Sequence, residues 1–213
     1  MQQKNIIVFG ASGRTGKMVV EQALEKGYKV TAIVRNPEKL PIRHPDLEIV
    51  RGDVLQILSF ENLIHKNATI ISCLGVQNRK PTTLYSAGIT NIIQAMEKAG
   101  ARRILCFSAV AVIVPPKSPF VVRFFTKYIL QRIFKYMYAD LLAMEEIVCK
   151  SGLDWTIIRP PRLLDSKLAG TYRVSINEPL RNPSKISRAD LADYMLNHAA
   201  DGKTYKSIIE VSY

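Results

Sequence analysis

Residues Ile6-Ile-Val-Phe9 run directly into Gly10-Ala-Ser-Gly13-Arg-Thr-Gly16, and an amphipathic stretch follows from Arg14 to Lys26. A short apolar run reads as a buried strand, and the 3.6-residue spacing after it reads as a helix. Glycines between the two let the backbone turn tightly and come close to a pyrophosphate. That group would rest on the N–H groups at the helix N-terminus. A glycine triplet alone says little. One that follows a strand and opens a helix at the head of an alternating chain reads as a dinucleotide-binding turn rather than a structural one.

Outward from this turn the alternation continues. VTAIV and LEIV read as strands, a helix is expected near Ser59–His65, and ATIISCLG reads as a fourth strand. A helix from Thr82 to Lys98, the strand RRILCFSAV, a long helical region from Phe120 to Lys150 and the strand DWTIIRP come next. Ser187 stands as an N-cap before RADLADYMLNHAA, and SIIEV reads as the last strand. Continuous apolar strands separated by helices imply a mainly parallel sheet with helices on both faces. The expectation is a single Rossmann-like, doubly wound α/β domain over residues 1–213. The irregular stretch 161–184 is expected to be a substrate-side excursion.

The end of the second strand bears on which dinucleotide fits. A carboxylate there would accept hydrogen bonds from the adenosine ribose of NAD. This chain instead has Arg35-Asn36, with Lys39 just beyond. A guanidinium pairs bidentately with a 2′-phosphate, so NADP(H) is the expected cofactor, and Arg14 could add a second cation. Asp53, in Gly52-Asp-Val54, stands where it could accept from an adenine amino group. Ser72-Cys-Leu74-Gly75 ends the fourth strand, where a ribose would pass. Ser108 ends the fifth strand at the same crevice and could hydrogen-bond the nicotinamide amide or an acceptor. Arg162 could clamp an anionic group on the substrate; a solvated loop arginine is the plain alternative.

Short-chain dehydrogenases commonly use Tyr-x-x-x-Lys as an acid–base pair. None of the nine tyrosines here has a lysine four residues later. Tyr128 with Arg132 is the nearest, and arginine does not release protons. Alcohol–ketone interconversion is therefore disfavoured, as is epimerase or dehydratase chemistry. Hydride transfer to an acceptor that protonates from water is not.

The 213 residues carry 47% hydrophobic side chains and a formal net charge of +12. This is a globular composition whose charge favours anionic partners. Three unpatterned cysteines suit a reducing cytoplasm, and three scattered histidines offer no metal-ligand spacing. The opening residues do not read as a signal peptide, and no apolar run is long enough to span a bilayer. Lys98 to Ala139 holds eight basic residues and no acidic one, with seven aromatics in its second half. No recognition motif for nucleic acid accompanies that charge. A helix apolar on nearly every side reads as a buried wall of core and acceptor pocket, against the sheet or a partner subunit. Attachment of residues 117–138 to a membrane surface is the lesser alternative, and an oligomer stays open.

With these segments in view, the chain resembles the atypical short-chain dehydrogenase/reductases of compact NAD(P)H-binding type, the biliverdin-IXβ reductase and flavin reductase group. GASGRTG, AIVRN, RGDVL, SCLG with KPTTLYSAGITNIIQAMEKAG, ILCFSAV, SGLDWTIIRPPRLLD with LAGTYRV, and ISRADLADYML carry the resemblance in order along almost the whole chain. It implies that Gly10, Ser12, Gly13, Arg14, Thr15, Gly16 and Arg35 hold the nucleotide. It further implies that Asp53, Val54, Leu74 and Gly75 line its adenosine side, and that Ser108 and Pro160 flank the nicotinamide. The acceptor would be a flat conjugated molecule such as a flavin, quinone or tetrapyrrole. Arg162 stands where that group has a histidine, and the stretch from Ser108 to Ser151 is longer here. The wider group also contains redox sensors that bind NADP without turnover, so a non-catalytic sensor or scaffold is the second reading.

Overall fold

The computed structural model describes residues 5–76, 78–113 and 124–213, and it opens on strand, helix, strand. The elements are β1 (Asn5–Phe9), α1 (Arg14–Glu25), β2 (Lys29–Val34), β3 (Leu47–Arg51), β4 (Ala68–Ser72), α2 (Leu84–Ala99) and β5 (Arg103–Phe107). They continue with α3 (Lys135–Lys150), β6 (Asp154–Arg159), β7 (Arg162–Leu164), β8 (Arg173–Ile176), β9 (Lys185–Ser187), α4 (Arg188–Asn197) and β10 (Ser207–Ser212). The main sheet runs in the order β3-β2-β1-β4-β5-β6-β10-β8. All its pairs are parallel except β10 with the edge strand β8. The fold is a single Rossmann-like α/β domain.

Alternation along each strand divides the core in two, because successive side chains point to opposite faces. Ile7, Phe9, Ile70, Ile104, Cys106 and Ile157 pack under α2 and α3, whereas Ile6, Val8, Ile71, Leu105, Ile158 and Ile209 pack under α1 and α4. Cys73 and Cys106 are buried, and burial pushes the Cys73 thiol up to about 12 and raises the Cys106 thiol as well. Both are packing residues. The charge of Arg103 is also internal. Its guanidinium donates to the carbonyls of His198 and Ala199 past the end of α4, to Asp154 O, and to the hydroxyls of Thr156 and Thr204.

Four expectations change. The segment Ser59–His65 is not a helix but part of two 3₁₀ turns, Ile57–Ser59 and Glu61–Leu63. Phe60 and Ile64 are buried from these turns as they would be from a helix. The helical region from Phe120 to Lys150 is interrupted. A π-helical stretch, Phe125–Leu130, and one α turn, Gln131–Ile133, end at Phe134 before α3 begins, and residues 117–123 of the basic segment lie outside the described residues. Nor is this aromatic stretch buried throughout, since Phe124, Tyr128, Ile129, Ile133 and Tyr136 are exposed. The stretch 161–184 carries more order than its sequence suggests: β7 pairs with β9, and β8 joins the main sheet.

Candidate active site

The parallel register brings the carboxyl ends of five strands to one edge. Phe9 lies opposite Ile33 and Ser72, Ser72 opposite Cys106, and Cys106 opposite Ile157. Arg35, Gly10, Leu74, Ser108 and Pro160 therefore follow one another along that edge. It includes the switch point between β1 and β4, where doubly wound sheets open a crevice.

The glycine turn is fixed by its own backbone. Gly10 has φ +71°, and a Cβ there would stand 2.5 Å from the carbonyl oxygen of Cys73. A Cβ on Gly16 would come within 2.3 Å of Gly10 O, so these two glycines allow helix and strand to touch. Gly13 differs, because it is exposed, has φ −73° and caps α1 without any side-chain hydrogen bond. No acidic residue stands in the first turn of α1, so its N–H groups and dipole favour an anion. Ser12 is exposed beside Gly13, while Thr15 is buried with Gly16.

Arg35 leaves β2 exposed, and no described residue pairs with its guanidinium. Arg14 is engaged: its Nη1 lies 2.7 Å from Asp165, whose other oxygen is 2.6 Å from Arg188 at the start of α4. Asp165 therefore joins the glycine turn to the 161–184 stretch. No local sequence signal announces it, since the partners lie 151 residues apart. Asp53 turns back on its own loop, with Oδ1 accepting from Leu55 N. Val54 and Leu74 pack on Gly88, where a Cβ would come within 3.1 Å of both, and Gly75 beyond them is exposed. Asn91 fastens the Val54 carbonyl from α2.

Ser108 is held by its backbone N–H on Ile158 O, and the next turn is tied by Val110 N to Pro160 O. Its side chain is buried, and the hydroxyl has no partner among the described residues. A buried hydroxyl without a partner is costly, so one at a crevice marks a place a ligand would satisfy. Arg162, two residues beyond Pro160, opens the small β7–β9 ladder, exposed and opposite Lys185. The tight glycine turn, the uncapped helix and the Ser108 hydroxyl all fit a dinucleotide.

Two side chains near the site escaped sequence reading. Asp140 on α3 accepts from the N–H groups of Tyr85 (2.8 Å) and Ser86 (3.2 Å) and from the Ser86 hydroxyl, and so caps α2 from another helix. Glu145 on α3 pairs bidentately with Arg159 at the end of β6 (2.9 and 2.5 Å). Burial alone would lower the affinity of Arg159 for its proton, and the Glu145 bonds more than offset that.

Fold and edge together define a Rossmann-type nucleotide-binding protein. The NAD(P)H-binding family model matches residues 10–201, and the chain belongs to that family. An uncharacterized chloroplastic protein of Arabidopsis thaliana is 26% identical over 99% of this chain and 77% of its own. The photosystem II assembly factor Ycf39 of Guillardia theta is 30% identical over 49% of this chain and 34% of its own. Among solved structures, the anaerobilin reductase ChuY of Escherichia coli O157:H7 superposes with a TM-score of 0.80 at 20% identity, covering 98% of this chain and 96% of that one. A short-chain dehydrogenase/reductase of Veillonella parvula in complex with NADP gives 0.82 at 16% identity, covering 99% and 94%. These likenesses concern the fold.

Proposed function

We propose that this chain is a cytoplasmic NADPH-dependent reductase acting on a planar conjugated acceptor such as a flavin, quinone or tetrapyrrole. The observation that carries the reading is Ser108, a buried hydroxyl without a partner at the crevice end of β5. Bound NADPH would supply the hydride. The chain's own part is to hold and align. The first turn of α1 receives the pyrophosphate, Gly13 leaves it room, and the exposed Arg35 pairs with the 2′-phosphate. Asp53 offers its second carboxylate oxygen on the adenosine side. Val54, Leu74 and Gly75 wall that side, and Pro160 lies beside Ser108. Ser108 donates to the nicotinamide amide or to the acceptor, and Arg162 steers an anionic acceptor.

With no Tyr-x-x-x-Lys pair, the proton is drawn from water. Catalysis then rests on proximity, which can lower a barrier by several kcal/mol without an acid–base residue. The solved structure of a reductase with this fold supports the reading. The second reading, a non-catalytic NADP(H) sensor, is favoured by one observation: Asp165 couples the glycine turn to α4, as a sensor would need. A relative named as an assembly factor lends weight to a non-catalytic scaffold, the other form of this second reading.

Steady-state oxidation of NADPH with flavin and quinone acceptors separates the two. Turnover is expected, with Ser108→Ala slowing it on the order of tenfold, the scale of one hydrogen bond. Phe in place of Tyr128, Tyr136 or Tyr138 should slow it no more. Tight NADPH binding without turnover against any acceptor would establish the sensor instead.

A further inference from the structure

The described part of the aromatic segment has two faces. Met137 and Tyr138 pack against the core under α2 and α3, and Phe134 is half-buried beneath the Arg79 guanidinium, 5.3 Å from its ring centre. The other face carries Phe124, Tyr128, Ile129, Ile133 and Tyr136, each between 39% and 58% exposed. The breadth of apolar character in the sequence is thus one face turned inward and one outward. Gln131 holds the segment in this orientation, its side-chain amide donating to the carbonyls of Ala111 (3.0 Å) and Val112 (3.3 Å). The outward face is therefore fixed by the fold.

Its surroundings are basic. Arg79, Lys80, Arg132 and Lys135 are all exposed, and Lys135 Nζ lies 4.6 Å from the centre of the Tyr136 ring. From Lys98 to Ala139 the chain has no carboxylate to offset them. Long basic stems emerging among isoleucine and aromatic side chains place apolar groups and cations at one level. That is the arrangement a headgroup–acyl boundary accepts, with tyrosines near the polar layer and cations on the phosphates.

We propose that the face formed by Phe124, Tyr128, Ile129, Ile133 and Tyr136 is a peripheral docking surface for an anionic lipid bilayer. Charge complementarity favours lipid over a second copy of the chain. A two-fold interface would set this basic patch against itself, in a molecule already at +12. No helix among the described residues is long and apolar enough to cross a membrane, so the contact is peripheral.

Vesicle co-sedimentation of the full chain tests the proposal. One set of vesicles is phosphatidylcholine alone, and the other an equimolar mixture with phosphatidylglycerol. The protein should sediment with the mixed vesicles and not with the neutral ones. Binding should weaken from about 0.1 M to about 1 M salt, as the Debye length falls from about 10 to about 3 Å. Arg132→Glu with Lys135→Glu should lower partition by at least tenfold, since each cation near such a surface is worth about fivefold. Ile129→Ser with Ile133→Ser should lower it comparably at an unchanged thermal midpoint, which shows the fold intact. Three results would overturn the idea: no binding to mixed vesicles, equal binding to both kinds, or a serine variant that binds mixed vesicles like the parent. So would a dimer in solution that the serine variant dissolves, because the face would then be an interface between copies.

Discussion

At the scale of single residues, the cofactor edge is a set of local solutions to local problems. Gly10 and Gly16 serve the protein's own packing, for any Cβ there would enter the Cys73 or Gly10 carbonyl. Gly13 has only Gly10 O near its absent Cβ, at 3.2 Å, so a side chain there would point into the crevice after a small backbone adjustment. Gly13→Val should thus abolish NADPH binding in titration calorimetry while the circular dichroism spectrum stays that of the parent. Retained affinity would make the whole turn structural. On the proposed reading, Arg35 would govern the choice of dinucleotide. NADPH should bind tighter than NADH by at least ~1.5 kcal/mol, the scale of one charge-assisted contact, and Arg35→Asp should reverse the order. Equal affinities in the parent protein would remove the basis for that assignment. Arg14 offers less to the phosphate than its position in the turn suggests, because Asp165 already holds it and an exposed pair of this kind contributes about 1 kcal/mol at most.

At the scale of elements, legibility followed locality. Strand–turn–helix alternation could be read because each apolar run and each glycine acts on its immediate neighbours. The N-cap of α4 was equally local, with Ser187 accepting from Asp190 N. The Ser59–His65 segment misled because Phe60, Leu63 and Ile64 have helical spacing, which two successive 3₁₀ turns satisfy as well. Around Phe134 nearly every position is apolar or aromatic, so periodicity cannot say which face turns inward or where the helix breaks. The cap of α2 was beyond reading, because its acceptor, Asp140, lies 54 residues or more from the groups it satisfies. Its energetic weight can still be stated. Asp140→Ala leaves the Tyr85 and Ser86 N–H groups without their acceptor inside the α2–α3 contact and should cost about 2–3 kcal/mol. For a domain of this size that lowers the thermal midpoint by about 4–12 °C. Asp140→Asn keeps an acceptor and should recover part of the loss. A midpoint for the alanine variant within about 1 °C of the parent would show that the cap carries no net stability.

At the scale of the whole molecule, the charge count in the sequence overstates what faces solvent, since Arg103 and Arg159 are spent on internal hydrogen bonds. The buried acids divide in the same way, and their signs set how stability follows pH. Asp190 is fully buried, and its carboxylate gathers three parts of the chain: Ala169 N and Gly170 N of the 161–184 stretch, the Ser187 hydroxyl that caps its own helix, and the Tyr213 hydroxyl after β10. Burial pushes its pKa up, and the bonds from Ser187, Tyr213, Gly170 and Ala169 outweigh that, so the net shift is downward. A carboxyl whose folded pKa is depressed gives stability that is fully present above its unfolded value, near 4, and is lost as pH falls through the folded one. Glu210 works in the opposite sense. Burial raises it, the Leu180 N–H and Arg159 only partly offset this, and its protonation on acidification favours the folded state. Replacing Asp190 with Asn isolates the first effect. The variant should be less stable than the parent by about 2 kcal/mol at neutral pH, the scale of hydrogen bonds to a charged group. That gap should shrink steadily below about pH 4 and nearly close where the parent's carboxyl is itself protonated. Urea midpoints for both proteins across that range measure it directly. A gap that keeps its neutral-pH size in acid would mean that Asp190 holds these three segments together by shape, and that its charge contributes nothing.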